Sequence, residues 1–144
     1  MLERVRPERF VHPKNDLHRR KLHALGNFIE GLLSRPEHHQ LGRIILFGSA
    51  LEGDITAESD IDLLVLGTGD LQTLRRACAV AAFETNLATG ERIEPLVFPL
   101  SYYYHPTSLF IHRLRQRGKE IWSMSERELK RTCLLYTSPS PRDS

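Results

Sequence analysis

Between residues 16 and 35 the apolar positions recur at the three- and four-residue steps of one helix face. Asn15 or Asp16 provides an N-cap, and Pro36 ends the segment. The apolar stripe comprises Leu17, Leu22, Leu25, Phe28, Ile29, Leu32 and Leu33. The pattern predicts an amphipathic helix of about five turns. Histidines 18, 23, 38 and 39 have no spacing typical of a metal site, and we expect them to be solvated.

Three short apolar runs later in the chain predict β-strands. Arg43–Phe47 and Asp60–Leu66 are rich in Ile and Leu, and each ends at a glycine, which is typical of a buried strand followed by a turn. Arg92–Phe98 predicts a third strand. Pro95 within it indicates an edge or bulged strand, because proline has no N–H to donate to a neighbour.

Helices are predicted between and after these strands. A short helical turn covers Ser49–Gly53, and Asp70 caps a helix that extends to about Leu87. A last helix extends from residue 107 or 108 to Arg117, where a glycine stops it. Strands and helices therefore share one chain, in which no internal repeat is found.

The two ends of the chain lack such patterns. Residues 1–14 show no period and contain Pro7 and Pro13, which predicts a flexible arm. Ser125 and Glu128 form a capping box, which predicts the start of a truncated helix over residues 123–131. Residues 132–144 resemble translated sequencing-adapter sequence, so we interpret them as a non-native disordered tail; a native disordered tail is the alternative.

Composition limits the class of protein. The chain has 144 residues, 40% of them hydrophobic and 26% charged, which suits one globular domain. Its longest strictly apolar run, Cys78–Phe83, is too short to span a bilayer, and its charged N-terminus does not resemble a signal peptide. Two cysteines make neither a disulfide framework nor a zinc site. We therefore expect a cytoplasmic protein without a membrane partner.

Charge is distributed unevenly along the chain. Residues 44–99 carry a net charge of −6, whereas the segments before and after them carry +4 each. A nucleic-acid partner is not expected, because such proteins need a continuous basic surface. The pattern suits a site that gathers cations, with positive charge nearby for phosphate. Charges scattered over a solvated surface are the alternative.

Two aspartates interrupt the second apolar strand. Asp60 and Asp62 occupy positions i and i+2, which share one face of a strand and are about 6.6 Å apart along it. Aspartate is poorly suited to strands, and burying one without a partner costs several kcal/mol (order of magnitude). A divalent cation resolves this conflict, because Mg²⁺ prefers carboxylate, water and phosphate oxygens.

Two small residues, Gly48 and Ser49, lie before this pair, and ten residues separate them from it. Gly48 allows the backbone to approach a phosphate, and Ser49 offers it a hydroxyl and an N–H. Ser59, directly before the aspartates, is a further candidate for nucleotide binding, and a turn or capping residue is the alternative. Glu94 in the third strand is the candidate third carboxylate for metal binding and catalysis; an exposed edge-strand glutamate is the alternative.

These residues resemble a known signature. Gly48-Ser49, ten residues and then Asp60-Ile61-Asp62, placed between apolar strands, looks like the polymerase-beta-type nucleotidyltransferase superfamily and its minimal nucleotidyltransferase group. The resemblance covers residues 15–122 and implies an α+β fold with a mixed β-sheet flanked by helices. It departs from the family at Glu94, where an aspartate is usual.

The resemblance also implies a function. It places Gly48 and Ser49 on a nucleoside triphosphate and the carboxylates of Asp60 and Asp62 on one or two Mg²⁺ ions. The expected enzyme transfers a nucleoside monophosphate, AMP from ATP, to a hydroxyl. Members of the minimal group are paired or fused with HEPN-type toxins, so a HEPN tyrosine is an expected acceptor. An aminoglycoside-type transferase and a nucleotide-binding antitoxin or adaptor of weak activity are the alternatives.

Overall fold

A four-stranded mixed sheet lies at the centre of the protein, as seen in a computed structural model that describes residues 5–106 and 108–124. Its strands are β1 (Leu41–Phe47), β2 (Ile61–Gly67), β3 (Ile93–Pro99) and β4 (Lys119–Ser123). Their order is β3-β2-β1-β4, with β2 and β3 parallel and the other neighbours antiparallel. This confirms the expected α+β class with a mixed sheet.

Helices connect the strands in the way the pairing requires. The helices within the described residues are α1 (Asp16–Leu33), α2 (Ser49–Glu52), α3 (Leu71–Thr89), α4 (Ser101–Tyr104) and α5 (Leu109–Arg117), with 3₁₀ turns at Pro7–Arg9 and Pro36–Gln40. Parallel strands cannot be joined by a tight hairpin, so α3 provides the long crossover between β2 and β3. The short α2 turn and the loop after it suffice between the antiparallel β1 and β2.

The two faces of the sheet pack against different helices. Side chains of α1 and α3 cover one face and form the larger apolar core, which contains Leu25, Ile44 and Leu63. On the other face Ile45, Leu64 and Leu66 pack against α5 and the segment that includes α4. Because side chains alternate along a strand, even-numbered residues of β2 point to this second face.

Most predicted elements are confirmed, with ends displaced by one to a few residues. The Asn15 side chain caps α1 by accepting a hydrogen bond from His18 N at 2.8 Å, and Asp70 caps α3 in the same manner. β3 lies at the edge of the sheet, as Pro95 indicated. The sequence interpretation missed β4, which has few apolar residues and is defined by its pairing with β1.

The described part of the expected arm is packed rather than free. Pro7 and Val11 are buried, and Val5 N donates a hydrogen bond to Glu30 Oε2 at 3.2 Å. A Cβ at Gly26 would lie 2.7 Å from Val5 O, so this helical glycine allows the arm to approach α1. The expectation of a flexible arm is therefore wrong for residues 5–14.

Other expectations concern parts of the chain that the structure does not describe. The residues from Ser125 onward, which include most of the helix predicted over residues 123–131 and the tail at 132–144, lie outside the described residues. Ser123 itself belongs to β4. No helix in the described part of the chain is both long enough and apolar enough to cross a membrane.

Two buried polar side chains on α1 hold the loops next to the sheet. His18, which was expected to be solvated, is fully buried. Its Nδ1 accepts from Lys14 N at 2.9 Å, so Nε2 carries the proton and donates to Ala50 O at 2.6 Å. His18 therefore attaches the α2 turn to α1.

Lys21, one turn further along α1, is only 1% exposed. Its Nζ donates to Ser59 O at 2.7 Å and to Ala57 O at 3.1 Å, and forms an ion pair with Glu91 Oε1 at 2.6 Å. One ammonium group thus joins α1 to the loop before β2 and to the segment before β3. A buried lysine with three oxygen partners satisfies its hydrogen-bonding capacity.

We predict that Lys21→Met lowers the free energy of unfolding by about 3–5 kcal/mol, because it leaves Glu91 and two carbonyl groups without their buried partner. Urea denaturation measures this loss. Arg20→Met is the matched control, since Arg20 is the exposed cationic neighbour and its replacement should change stability by less than about 0.5 kcal/mol. Equal effects of the two substitutions would contradict the prediction.

Candidate functional site

The predicted site residues meet where β1 ends and β2 begins. Phe47, the last residue of β1, lies opposite Asp62 of β2, and Gly48 follows directly. Asp60 precedes β2 by one residue. Antiparallel pairing therefore brings together two sequence segments that are separated by ten residues in the chain.

The two aspartates influence each other electrostatically. Partial burial raises the pKa of Asp62 above its ordinary value, and the negative charge of Asp60 raises it further. A raised carboxyl pKa means that the site disfavours a second negative charge. A cation placed at this pair would relieve the second effect, the repulsion between the two carboxylates.

Among the described residues, Arg92 is the one cationic side chain that forms an ion pair with Asp60. Arg92 Nε lies 2.8 Å from Asp60 Oδ1, and the Arg92 side chain is 66% exposed. This ion pair lacks the alignment of a hydrogen bond, so Oδ1 is a buried oxygen with no hydrogen-bond partner in the described part of the chain. Because the Arg92 side of this ion pair is exposed, the pair contributes little to stability, and Asp60 retains capacity for another cationic ligand.

Gly48 is required by its backbone and by its neighbour. Its φ is +76°, a backbone conformation that residues other than glycine rarely adopt. A Cβ at this position would lie 2.8 Å from Asp62 Oδ2. The space that glycine leaves is therefore used by the Asp62 carboxylate, whereas the sequence interpretation assigned it to a phosphate.

The two serines differ in what their hydroxyls contact. Ser59 Oγ accepts from Thr56 N at 2.9 Å and lies 3.2 Å from Thr56 Oγ1, so it stabilises the turn before β2. Ser49 begins α2 and is half-buried. Within residues 5–106 and 108–124 no hydrogen bond engages its hydroxyl, which leaves it free for a ligand. The geometry thus favours the turn role for Ser59.

Glu94 lies beside Asp62 on the neighbouring strand. The two residues are paired in the parallel β2–β3 register, so their side chains leave the same face of the sheet. Glu94 is exposed, in contrast to the partly buried Asp62. Among the described residues no three His, Cys, Asp or Glu side chains form a group that could hold a metal ion. The structure therefore brings Asp60 and Asp62 together, with Glu94 adjacent but not converging on both.

The aspartate pair fits a divalent cation of the magnesium type. The fit rests on two neighbouring carboxylates, a raised Asp62 pKa and a buried Asp60 oxygen without a hydrogen bond to any described residue. Mg²⁺ commonly takes one or two protein carboxylates and completes its shell with water and substrate phosphates. Two carboxylates are thus sufficient protein ligands for a metal that binds together with a nucleotide.

Sequence reasoning missed the residues that support this site. His18 and Lys21 lie on the same face of α1 as the core positions Leu22 and Leu25, where a polar residue is unexpected. That position within the apolar stripe is the signal that could have identified them. Arg92 gave no such signal, because an arginine at the start of an edge strand is ordinary.

Comparison with known proteins adds one curated relative and two solved structures. A candidate protein adenylyltransferase of Methanocaldococcus jannaschii, MJ0604, is 40% identical over 55 residues. That match covers 38% of this chain and 54% of the relative, so it spans about half of the relative's length.

The solved structures resemble this fold more distantly. A toxin–antitoxin crystallised with AMP-PNP shares 23% identity at a TM-score of 0.49, covering 77% of this chain and 86% of that one. The toxin–antitoxin MntA-HepT shares 22% identity at a TM-score of 0.42, covering 77% and 83% of the two chains.

A family model covers most of the architecture described above. The model described as polymerase beta, nucleotidyltransferase matches residues 33–127, which is more than half of the chain. The match includes Gly48, Ser49, Asp60, Asp62 and Glu94. The chain therefore belongs to the polymerase beta nucleotidyltransferase family.

Proposed function

We propose that this protein is a magnesium-dependent nucleotidyltransferase that transfers AMP from ATP to a hydroxyl group and releases pyrophosphate. The observation that carries the proposal is the placement of Asp60 and Asp62 beside the Gly48 turn, with the Ser49 hydroxyl free of bonds to described residues. Family membership supports the class of reaction. The choice of AMP is supported by the name of the Methanocaldococcus relative.

Each residue has a distinct role in the proposed reaction. Asp60 and Asp62 would hold Mg²⁺, which when bound neutralises phosphate charge and orients the triphosphate. Ser49 donates its hydroxyl hydrogen bond to a phosphate oxygen, and Gly48 keeps the turn in the required conformation. The acceptor oxygen bonds to the α-phosphorus while the bond between the α-phosphorus and the leaving pyrophosphate oxygen breaks. Glu94 is the adjacent carboxylate that would take the hydroxyl proton or assist a second Mg²⁺.

For the acceptor we propose a protein hydroxyl, specifically a tyrosine of a HEPN-type partner. The protein acceptor is supported by the name of the relative, and the HEPN partner by the sequence resemblance to the minimal nucleotidyltransferase group. A small-molecule acceptor of the aminoglycoside type would use the same fold and motif.

A nucleotide-binding protein of weak activity is the second candidate function. It is favoured by one observation, that Glu94 is exposed and no three acidic side chains in the described part of the chain converge on one point. Under this alternative the protein binds ATP and acts by contact, without transfer.

The test is incubation with α-labelled ATP and Mg²⁺, with a HEPN-type protein, with an aminoglycoside or with neither, followed by mass spectrometry of the proteins and of the aminoglycoside. The proposed function predicts addition of AMP to a hydroxyl and release of pyrophosphate, both abolished by EDTA. Transfer to an aminoglycoside alone would favour the small-molecule acceptor. Tight ATP binding without transfer to any acceptor would favour the second candidate.

We predict that Asp62→Asn abolishes transfer and slightly stabilises the metal-free fold, raising Tm by about 1–3 °C at pH 7. The pKa of Asp62 is raised in the folded state, so its ionisation costs stability as pH rises. The gain should therefore vanish at acidic pH, where the carboxyl is protonated in both states. Differential scanning calorimetry across pH measures the gain, and transfer retained with Mg²⁺ bound would contradict the metal assignment.

Glu94→Gln is the companion variant for this measurement. If Glu94 takes the acceptor proton, its substitution lowers turnover while Mg²⁺ and ATP affinity stay close to wild type. If it assists a second Mg²⁺, the affinity for Mg²⁺ falls as well. Unchanged turnover would restrict the essential carboxylates to Asp60 and Asp62.

We predict that Ser49→Ala weakens binding of a non-hydrolysable ATP analogue by about 1.5–3 kcal/mol, the range for a lost hydrogen bond to a charged group. Ser59→Ala is the matched control, because its hydroxyl already bonds within the turn at Thr56. It should change affinity much less. Isothermal titration calorimetry compares the two, and a larger loss for Ser59→Ala would reverse the assignment.

A further inference from the structure

An apolar groove of about 510 Å³, the β3 groove, runs along the outer edge of β3, the end strand of the described sheet. Residues 93 and 95–98 form its strand side, and α3 forms the other side with Cys78, Ala79 and Ala82. Odd- and even-numbered residues of β3 both line it, so it follows the edge of the sheet rather than one face. Leu96 in its wall is 40% exposed, which shows that the groove is open to solvent.

The β3 groove begins beside the candidate site. Glu94 is the strand neighbour of Asp62, and Leu96 is two residues further along the same strand. Residues two apart in a strand share one face and lie about 6.6 Å apart along it. A ligand that covers Leu96 therefore extends to the carboxylates of Glu94 and Asp62.

The hydrogen bonds of β3 define which of its backbone groups face the groove. Ile61 N donates to Arg92 O at 2.9 Å, and Leu100 N donates to Gly67 O at 2.7 Å. The parallel register between these two bonds is continuous. Even-numbered residues of β3 thus direct their N–H and C=O groups toward β2, and odd-numbered residues direct theirs toward the groove.

The outward backbone of β3 is poorly suited to accept a further strand. Pro95 and Pro99 occupy odd-numbered positions and have no N–H to donate. The carbonyl oxygen of Val97, between them, already accepts a hydrogen bond from Arg75 Nη2 at 3.2 Å. The groove therefore fits the side chains of a folded partner rather than an added strand.

The lining combines apolar walls with one cation. Arg75 is the charged residue among those that line the groove, and its hydrogen-bond acceptors in the described part of the chain are neutral oxygens of Gln72 and Val97. The apolar surface continues along α3 to Phe83, one turn after Ala79 and 62% exposed. A polycationic small molecule would gain little from these walls and would be repelled by Arg75. An amphipathic helix that carries a carboxylate complements both features.

We propose that the β3 groove is the docking site of the protein acceptor, which it binds through the apolar face of an amphipathic helix. This inference rests on the proposed function, because it names the surface that presents the acceptor to Asp62 and Glu94. Residues three or four apart on a helix are about 5–6 Å from each other, close to the separation of Glu94 and Leu96. An apolar side chain seated on Leu96 thus places a hydroxyl residue one helical turn away over the two acids. A carboxylate on the partner pairs with Arg75 at the far end.

The experiment measures binding of a purified HEPN-type protein to the full chain by isothermal titration calorimetry without nucleotide. The KM values for that protein and for ATP are measured in the transfer assay. The variants are Leu96→Asp, the milder Leu96→Ser, Arg75→Glu and Arg75→Lys. Leu109→Asp is the matched control, because Leu109 is a 62% exposed leucine at the start of α5, away from the groove. Thermal denaturation of each variant verifies that it is folded.

The expected result for Leu96→Asp is a loss of about tenfold or more in affinity for the HEPN-type protein, with an equal rise in its KM. Leu96→Ser should show a smaller loss, and Leu109→Asp should behave as wild type. Arg75→Glu should lower affinity about threefold or more, whereas Arg75→Lys retains the charge and the affinity. The KM for ATP should be unchanged in all of them.

Two results would overturn the proposal. One is wild-type affinity for the HEPN-type protein in folded Leu96→Asp and Arg75→Glu. The other is a wild-type dimer that becomes monomeric in Leu96→Asp by light scattering, which would assign the groove to a second copy of this chain.

Failure of the proposed function gives a different pattern. Binding of the HEPN-type protein that depends on Leu96, without AMP transfer to it, contradicts the proposed function and retains the docking site. Transfer that is equal in wild type and Leu96→Asp contradicts the docking site alone. Neither binding nor transfer in the wild type contradicts both.

Discussion

The partial burial of Asp62 beside the negatively charged Asp60 is the constraint on which the candidate site depends. Burial raises the pKa of Asp62 and the negative charge of Asp60 raises it further, so an ionised carboxylate at this position of β2 costs stability. The apolar core on both faces of the sheet supplies the stability that makes this cost tolerable. A site that repels a second negative charge is also one that attracts a cation.

Holding these acids in position depends on α1, although α1 contributes no side chain to the proposed chemistry. His18 holds the α2 turn through Ala50, and Lys21 holds the loop before Asp60 through Ser59. The same Lys21 ammonium reaches Glu91, which directly precedes the Arg92 that pairs with Asp60. One helical turn of α1 therefore determines the positions of both segments of the site, which explains why two polar residues occupy its buried face.

Acidic and basic side chains lie in separate groups near the candidate site, although the net charge of the chain is small. The chain is close to neutral, with a net charge of +2. Yet the acidic pair lies at the start of β2, and two arginines without described protein partners lie across a cavity from the Gly48 turn. The acidic centre and basic flanks of the sequence are consistent with this division.

The sequence by itself determined three of the four strands, the main helices and the pair of acids. Apolar periodicity, capping residues and glycines are local signals, so α1, α3 and the edge position of β3 were predictable from Asn15, Asp70 and Pro95. The motif of Gly48, Ser49, Asp60 and Asp62 was recognisable because its spacing is kept within one strand–turn–strand unit. Only the tertiary structure decided that Gly48 makes room for Asp62 and that β4 joins the sheet. It also decided that His18 bonds to Ala50 and Lys21 to Ser59 and Glu91, and that Arg113 and Arg117 lie across a cavity from the Gly48 turn. These features depend on contacts between residues far apart in the chain, and no local pattern of hydrophobicity or propensity encodes which distant segment a side chain will meet.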